Sequence, residues 1–245
     1  MNAQLHSQIR MARTRASKLA RLVQEPGYWP AVRQGVVPSV EHTKVPFRSD
    51  IATVLDVGAS RGQFALHATR RFPAARVICF EPIPDSRSAL TGVLGGRVEV
   101  RPVAVGAQPG RADLHVSAQD DSSSLLPIGE RQVQEFPGTH EASTINVEVV
   151  ALSDVINEGL EGPVLLKIDV QGLELDVLRG AEARLDAIDE VFVECSFVEL
   201  YEGQALADEV IAFLLTHGLR LAGVYGVSYA ADGAALQADL LFRRN

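Results

Sequence analysis

Apolar and polar positions change rhythm at Ile51. Short runs in which most residues are apolar fall at 51–57, 76–81, 97–105, 163–169 and 189–195, and read as strands. Stretches with helical spacing lie between and after them, near 61–72, 84–94, 172–187 and 204–217. Strand and helix in turn predict a parallel sheet with helices on both faces. Two stretches break the alternation. After Val105 the chain runs through Gly106, Pro109 and Gly110 into a strand-like RADLHVS, a polar AQDDSSS, an extended loop to about Ser143, and an alternating TINVEVVAL. An insertion at about 106–150 therefore replaces a simple third helix, and a compact domain is expected to use so long an insertion for binding. At the end, GLRLAGVYG and ALQADLLFRRN flank an Ala-Asp-Gly turn and read as an antiparallel hairpin.

Before Ile51 the pattern is different. Residues 1–25 read as a helix in which Arg10, Arg13, Arg15, Lys18 and Arg21 precede the first acid, Glu25, interleaved with Leu5, Ile9, Leu19 and Leu22. Such a basic amphipathic helix either rests on an anionic membrane surface or packs on its own domain or on a second subunit as a dimer contact. Pro26, Gly27, Pro30, Gly35, Pro38 and Pro46 then punctuate an irregular stretch to about Asp50, suited to a lid or a substrate wall. The expected division is an N-terminal helical arm with a lid-like segment over 1–50 and one α/β domain over 51–245.

Bulk properties narrow the function. A chain of 245 residues with 47% apolar content can bury one full α/β core with a small appendage. A formal charge of -8 argues against a nucleic-acid partner held through phosphates and leaves small molecules open. No apolar run approaches the roughly 18 to 20 residues of a spanning helix, and the start lacks the apolar core of a secretory signal. Cys79 and Cys195 fall inside strands and read as buried thiols of a reducing compartment, which makes a cytoplasmic location the expectation.

The chemistry concentrates in TVLDVGASRGQFALHATRRFPAARVICFEPIPDSRSAL, Thr53 to Leu90: strand, glycine turn, helix, and a second strand ending in an acid. Gly58 would let backbone approach a ligand, and Gly62 would let the next helix begin against it without a side chain in the way. Glu81, about 20 residues past the turn, suits the two hydroxyls of a ribose. A nucleoside-containing cofactor follows. A dinucleotide fingerprint wants Gly-x-Gly-x-x-Gly, but Ser60 takes the place of its second glycine, and Asp56 would repel a pyrophosphate while attracting an ammonium group. S-adenosyl-L-methionine, with an amino-acid end, a ribose and no phosphate, fits best, and a nicotinamide cofactor is disfavoured.

In open parallel sheets ligands sit beyond the carboxyl ends of the strands, where Asp56, Glu81, Ala104, Asp169 and Glu194 fall. Asp56 with Gly58, Ala59 and Gly62 would hold the methionine end, and Glu81 with Pro82 the ribose. The small Ala104 with Val105 would leave room beside adenine. Ser122, Ser123 and Ser124 either offer hydroxyls to cofactor or acceptor or simply form a turn. Asp169 could orient the cofactor's amino group or hydrogen-bond an acceptor hydroxyl as base. Glu174 either faces the same cleft or caps the following helix, and Glu194 is a third candidate whose structural alternative is burial against Lys167. His115 and His140 border the insertion, and either could reach a substrate as base, whereas His67 and His217 read as structural. Paired carboxylates could also take a divalent cation, but two fall short of the ligands Mg²⁺ prefers, and no metal ligand is assigned.

The motifs VLDVGASRGQF, FEP at Phe80 to Pro82, AVG at Ala104 to Gly106, SSL at Ser123 to Leu125 and LKIDVQGLELDVLRGA at Leu166 to Ala181 together resemble the FkbM family of S-adenosylmethionine-dependent methyltransferases, from about Ile51 to Phe242. The last motif is the most specific, and the first marks only the superfamily. The resemblance implies a class I methyltransferase (Rossmann-like) sheet, five parallel strands plus a C-terminal antiparallel hairpin. It also implies O-methylation of a hydroxyl on a sugar, a glycolipid or a glycosylated or polyketide-type natural product. The contrasting reading is a non-catalytic S-adenosylmethionine-binding or partner protein that has kept the fold, against which the acids at every strand end argue.

Overall fold

The structure is a computed structural model that describes residues 28–156 and 159–244. The basic helix expected over residues 1–25 lies outside the described residues. Two sheets organise the rest. The larger has seven strands in the order β3-β2-β1-β7-β8-β10-β9, and the smaller three in the order β4-β6-β5. The large sheet runs β1 (Thr53–Val57), β2 (Arg76–Phe80), β3 (Glu99–Arg101), β7 (Val164–Ile168), β8 (Glu190–Ser196), β9 (Leu219–Tyr229) and β10 (Ala235–Arg244). β1, β2, β3, β7 and β8 are mutually parallel, and β10 is antiparallel to both of its neighbours. This is the class I methyltransferase layout expected from the strand pattern. The hairpin differs in one detail: its second arm, β10, inserts beside β8, so β9 forms the edge.

Strand alternation sorts the apolar side chains onto two faces. Val54, Val77, Cys79 and Leu165 face a core with α2 (Gln63–Arg71) and α3 (Pro84–Leu94), while Leu55, Ile78, Leu166 and Ile168 face α5 (Leu152–Ile156), α6 (Glu174–Ala181) and α7 (Ala207–Thr216). The Pro- and Gly-rich segment before β1 belongs to the first core. Tyr28, Val36, Val40, Val45 and Phe47 are buried there, around the short α1 (Trp29–Arg33) and a 3₁₀ turn, Val40–Lys44. It is a packed wall rather than a loose cover, because its apolar residues find partners in Phe64, Phe72 and Phe192.

The run expected as one strand over 97–105 divides. β3 stays in the large sheet, and β4 (Ala104–Gly106) turns away to pair in parallel with β6 (Glu141–Ala151), which pairs antiparallel with β5 (Gly110–Ser117). The insertion is thus a small sheet with its own core of Ala104, Leu114, Val147 and Val149, plus a short helix, α4 (Glu130–Glu135), in the stretch read as loop. The helix expected over 172–187 is also divided, α6 giving way to a 3₁₀ turn at Glu182–Ala187. Both cysteines are free and buried. Among the described residues no helix is long and apolar enough to cross a membrane.

Candidate active site

A cleft of about 470 Å³ opens beyond the carboxyl ends of β1, β2, β7 and β8. The chain leaves β1 toward β2 on one side and returns with β7 on the other, so the cleft sits at the sheet's switch point, the place where open α/β sheets bind ligands. Its volume lies in the range of small-molecule sites.

The turn after β1 has φ +75° at Gly58, +46° at Ser60 and +89° at Gly62. The two glycines answer to the protein itself, which corrects the reason read from sequence. A Cβ at Gly58 would stand 1.8 Å from the carbonyl oxygen of Asp169, and one at Gly62 would stand 3.0 Å from Cγ of Leu90. Gly58 and Ala59 line the cleft, whereas Gly62 is buried beneath α3 and does not. The Ser60 hydroxyl is buried without a protein partner.

Glu81 faces the same turn. One carboxylate oxygen accepts from the Ser60 amide at 2.8 Å and the other from the Ile83 amide at 2.7 Å. Each oxygen keeps a lone pair for a further donor. Burial pushes this carboxyl up to about 7, against the pull of those two amides and of Arg87 and Lys167. Pro82, Ala104 and Val105 continue the wall, joined by Leu114 and Leu125 from the insertion. Ser123 also lines it, its Oγ accepting from the Ser117 amide at 3.0 Å. A carboxylate with spare lone pairs, an unpartnered hydroxyl and an apolar wall in which the small Ala104 leaves room fit a ribose and adenine, so the residues present suit the nucleoside cofactor.

Asp56 does not reach the cleft. It is wholly buried, with Lys167 Nζ 3.1 Å from its Oδ1. Burial raises the Asp56 carboxyl and the ammonium beside it opposes that rise, whereas Lys167, despite a burial that favours its neutral form, is held above the usual lysine value by Asp56 and Asp169. The same ammonium donates to the Gly58 carbonyl at 2.9 Å and lies 3.7 Å from Asp169. The direct contact with an amino group expected of Asp56 is replaced by an internal pair that fixes the turn, because the strand's alternation points this carboxylate inward.

Asp169 lies in the cleft with its side chain 37% exposed. Glu194 lines the cleft too, accepting from Gln171 at 2.9 Å and Gln237 at 2.6 Å rather than pairing with Lys167. Burial, with Asp169 and Asp239 nearby, pushes the Glu194 carboxyl well above the carboxylate range. Glu174 turns away. Its oxygens accept from the amide of Gly172 at 3.0 Å and 3.1 Å and from that of Val170 at 3.3 Å, so it staples the turn before α6 and takes no place in the cleft. Burial raises it to about 7. His140 is exposed and does not line the cleft. His115 spends its Nδ1 on Glu141 at 2.9 Å. His67 is buried among aromatic rings and driven down to about 4, chiefly by burial.

Sequence reading missed three side chains here. His42 comes from the 3₁₀ turn, packs edge-on against Phe192 and sets Nε2 3.6 Å from Asp239 of β10. Asp239 had a signal, a carboxylate between Ala238 and Leu240, and it stands opposite Glu194 across the β8–β10 ladder. His42 had none beyond its place in the irregular segment. Gln171 joins Asp169 to Glu194 through its amide, and the motif named it without a role.

A family model for the methyltransferase FkbM domain matches residues 56–221. The chain belongs to the FkbM family of S-adenosylmethionine-dependent methyltransferases. The 2-O-methyltransferase NoeI of Sinorhizobium fredii is 32% identical over 160 residues, a match covering 62% of this chain and 66% of that protein. The 31-O-demethyl-FK506 methyltransferase FkbM of Streptomyces tacrolimicus is 32% identical over 191 residues, covering 67% of this chain and 71% of the other. The hexuronic acid methyltransferase AglP of Haloferax volcanii is 31% identical over 144 residues, covering 57% and 54%. The chain therefore spans just under two thirds of the length of NoeI. The cofactor of the FkbM family is S-adenosylmethionine. His42 and Asp239 both fall outside the matched residues.

Proposed function

We propose that this protein transfers a methyl group to a hydroxyl oxygen of a small molecule, in the class of a sugar, a glycolipid or a glycosylated or polyketide-type natural product. The observation that carries the reading is the placement of Glu81 and Asp169 in one cleft, on either side of the Gly58–Ser60 turn. S-adenosylmethionine supplies an electrophilic methyl on a sulfonium. Glu81 and Ser60 would hold the ribose, Ala104, Val105, Leu114 and Leu125 the adenine, and the turn braced by Lys167 the methionine end. The acceptor then has the part of the cleft over Asp169 and Glu194, walled by His42 and Asp239.

In-line transfer to an alcohol needs alignment and a place for the hydroxyl proton. Asp169, the more open of the two acids beyond β7 and β8, would take the hydroxyl proton as the oxygen received the methyl group that the cofactor's sulfonium would give up. Relatives named for 2-O-methylation, for a 31-O position and for hexuronic acid support an oxygen acceptor on a small molecule. The free buried thiols support a reducing compartment, and we place the protein in the cytoplasm.

The test is turnover. Purified protein with S-adenosylmethionine and a panel of glycosides and hydroxylated natural products should release S-adenosylhomocysteine and yield a methyl ether identifiable by mass and NMR. Binding of S-adenosylhomocysteine with no methylation of any panel member would favour the non-catalytic reading, and methylation on nitrogen or carbon would remove the oxygen assignment.

A further inference from the structure

Gln171 has the most constrained side chain at the mouth of the acceptor half. Its backbone sits at φ +59°, a left-handed conformation uncommon outside glycine, and its carbonyl accepts from the Ser124 hydroxyl at 2.7 Å. The amide nitrogen donates to Asp169 at 2.7 Å and to Glu194 at 2.9 Å, so both of its N–H groups go to carboxylates. The amide oxygen accepts from the Tyr201 hydroxyl at 2.7 Å. Tyr201 is itself buried and also lies 3.1 Å from the Ser122 carbonyl. A flipped amide would point its oxygen at the Asp169 carboxylate and give up both N–H bonds to the acids, so the donors fix the orientation.

We propose that Gln171 is a positioning residue whose amide, pinned by the Tyr201 hydroxyl, aims the Asp169 carboxylate into the acceptor half of the cleft and keeps it from turning toward Glu194. This rests on the reading of Asp169 as the acceptor of the hydroxyl proton. The geometry suits it. Asp169 and Glu194 end neighbouring strands and would repel or share a proton if nothing stood between them, and a single amide with two divergent N–H groups separates them while satisfying one oxygen of each. The other Asp169 oxygen faces Lys167. The groups around this carboxylate are Lys167 on its own strand, Asp56 on β1, Glu194 on β8, Asp239 with His42 beside it, Glu174 on α6 and the Tyr201 phenol. Of these, Lys167 is the neighbouring cation and the acids are its competitors. Loss of the bridging N–H donor therefore frees the Asp169 carboxylate to turn away from the acceptor half.

The experiment compares wild type with Tyr201→Phe and Gln171→Asn. Asparagine tolerates the left-handed backbone and keeps the amide, but withdraws it by one methylene, so the variant keeps the fold while losing the bridge. Each variant should lose kcat by about 10- to 100-fold through misalignment. The acceptor KM and the affinity for S-adenosylhomocysteine should stay near wild type. Folded variants with wild-type kcat would overturn the proposal, as would a loss confined to KM or to cofactor affinity. If the wild type itself methylates no hydroxyl, the Asp169 reading fails and this inference falls with it. Wild-type turnover with unaffected variants removes Gln171 alone.

Discussion

Asp56 on β1 and Lys167 on β7 are register partners, and their side chains meet 3.1 Å apart beneath the floor of the cleft. The pair joins the two strands that flank the switch point. Through the bond from Lys167 to the Gly58 carbonyl it also fixes the turn on which a cofactor would rest. The acid of the first motif thus serves the site from below, and the cation that lines the cleft comes from the last motif.

Removing one member of this pair should cost much more than removing both. Lys167→Met or Asp56→Leu leaves a buried charge without its partner and should lower stability by about 3–5 kcal/mol. The double variant should lose far less than the sum. Urea unfolding of the four proteins measures the coupling, and strict additivity would show that the contact does not matter to folding.

The two glycines of the turn should differ in cost. Gly58→Ala combines φ +75° with a Cβ 1.8 Å from the Asp169 carbonyl oxygen, a backbone atom that cannot move without shifting the strand end. A loss above about 3 kcal/mol is expected, with weaker S-adenosylhomocysteine binding. Gly62→Ala meets the Leu90 side chain at 3.0 Å, which can yield, so about 1–2 kcal/mol is expected, mostly from its left-handed backbone. Equal losses on thermal and urea unfolding would contradict this ranking.

Glu81→Ala should weaken S-adenosylhomocysteine binding by about 1.5–3 kcal/mol, the size of charge-assisted hydrogen bonds. The carboxyl sits at about 7 in the free protein. Its ionised form is the stronger acceptor, so wild-type affinity should fall as pH drops through that value while the Ala variant stays flat. Calorimetry across this range reads both effects, and a pH-independent wild type would remove Glu81 from the ribose site.

Glu174 makes a separate prediction about stability. Its folded value of about 7 lies above an ordinary 4.5, so the native state binds the proton more tightly. Its contribution is fully present below about 4.5 and is lost as pH rises through about 7. The stability of wild type relative to Glu174→Gln should therefore decline across that window, by on the order of 3 kcal/mol at most. A difference that rises with pH would mean the carboxyl is held ionised by the Gly172 and Val170 amides.

Asp169→Asn keeps size and most hydrogen bonding but removes the charge. If this carboxylate receives the hydroxyl proton, turnover should drop by about 10²–10⁴ with the fold intact. A folded variant working at close to the wild-type rate would move the search to Glu194 or His42.

The succession of strands and helices along the chain, the turn at Gly58, the acids at the strand ends and the family itself are written in the sequence alone. They depend on local patterns: apolar runs of strand length, glycine where φ is positive, a charge where a strand stops. What the sequence could not decide was direction. Whether Asp56 points up into the cleft or down beneath it, and whether Glu174 faces ligand or backbone, depends on strand alternation and helix phase relative to neighbours far along the chain. The same holds for His42 and Asp239, 197 residues apart by number, which meet at 3.6 Å only because the first packed segment and the last strand close over the same sheet end. Local chemistry determined which groups this protein carries, and long-range packing determined which of them meet.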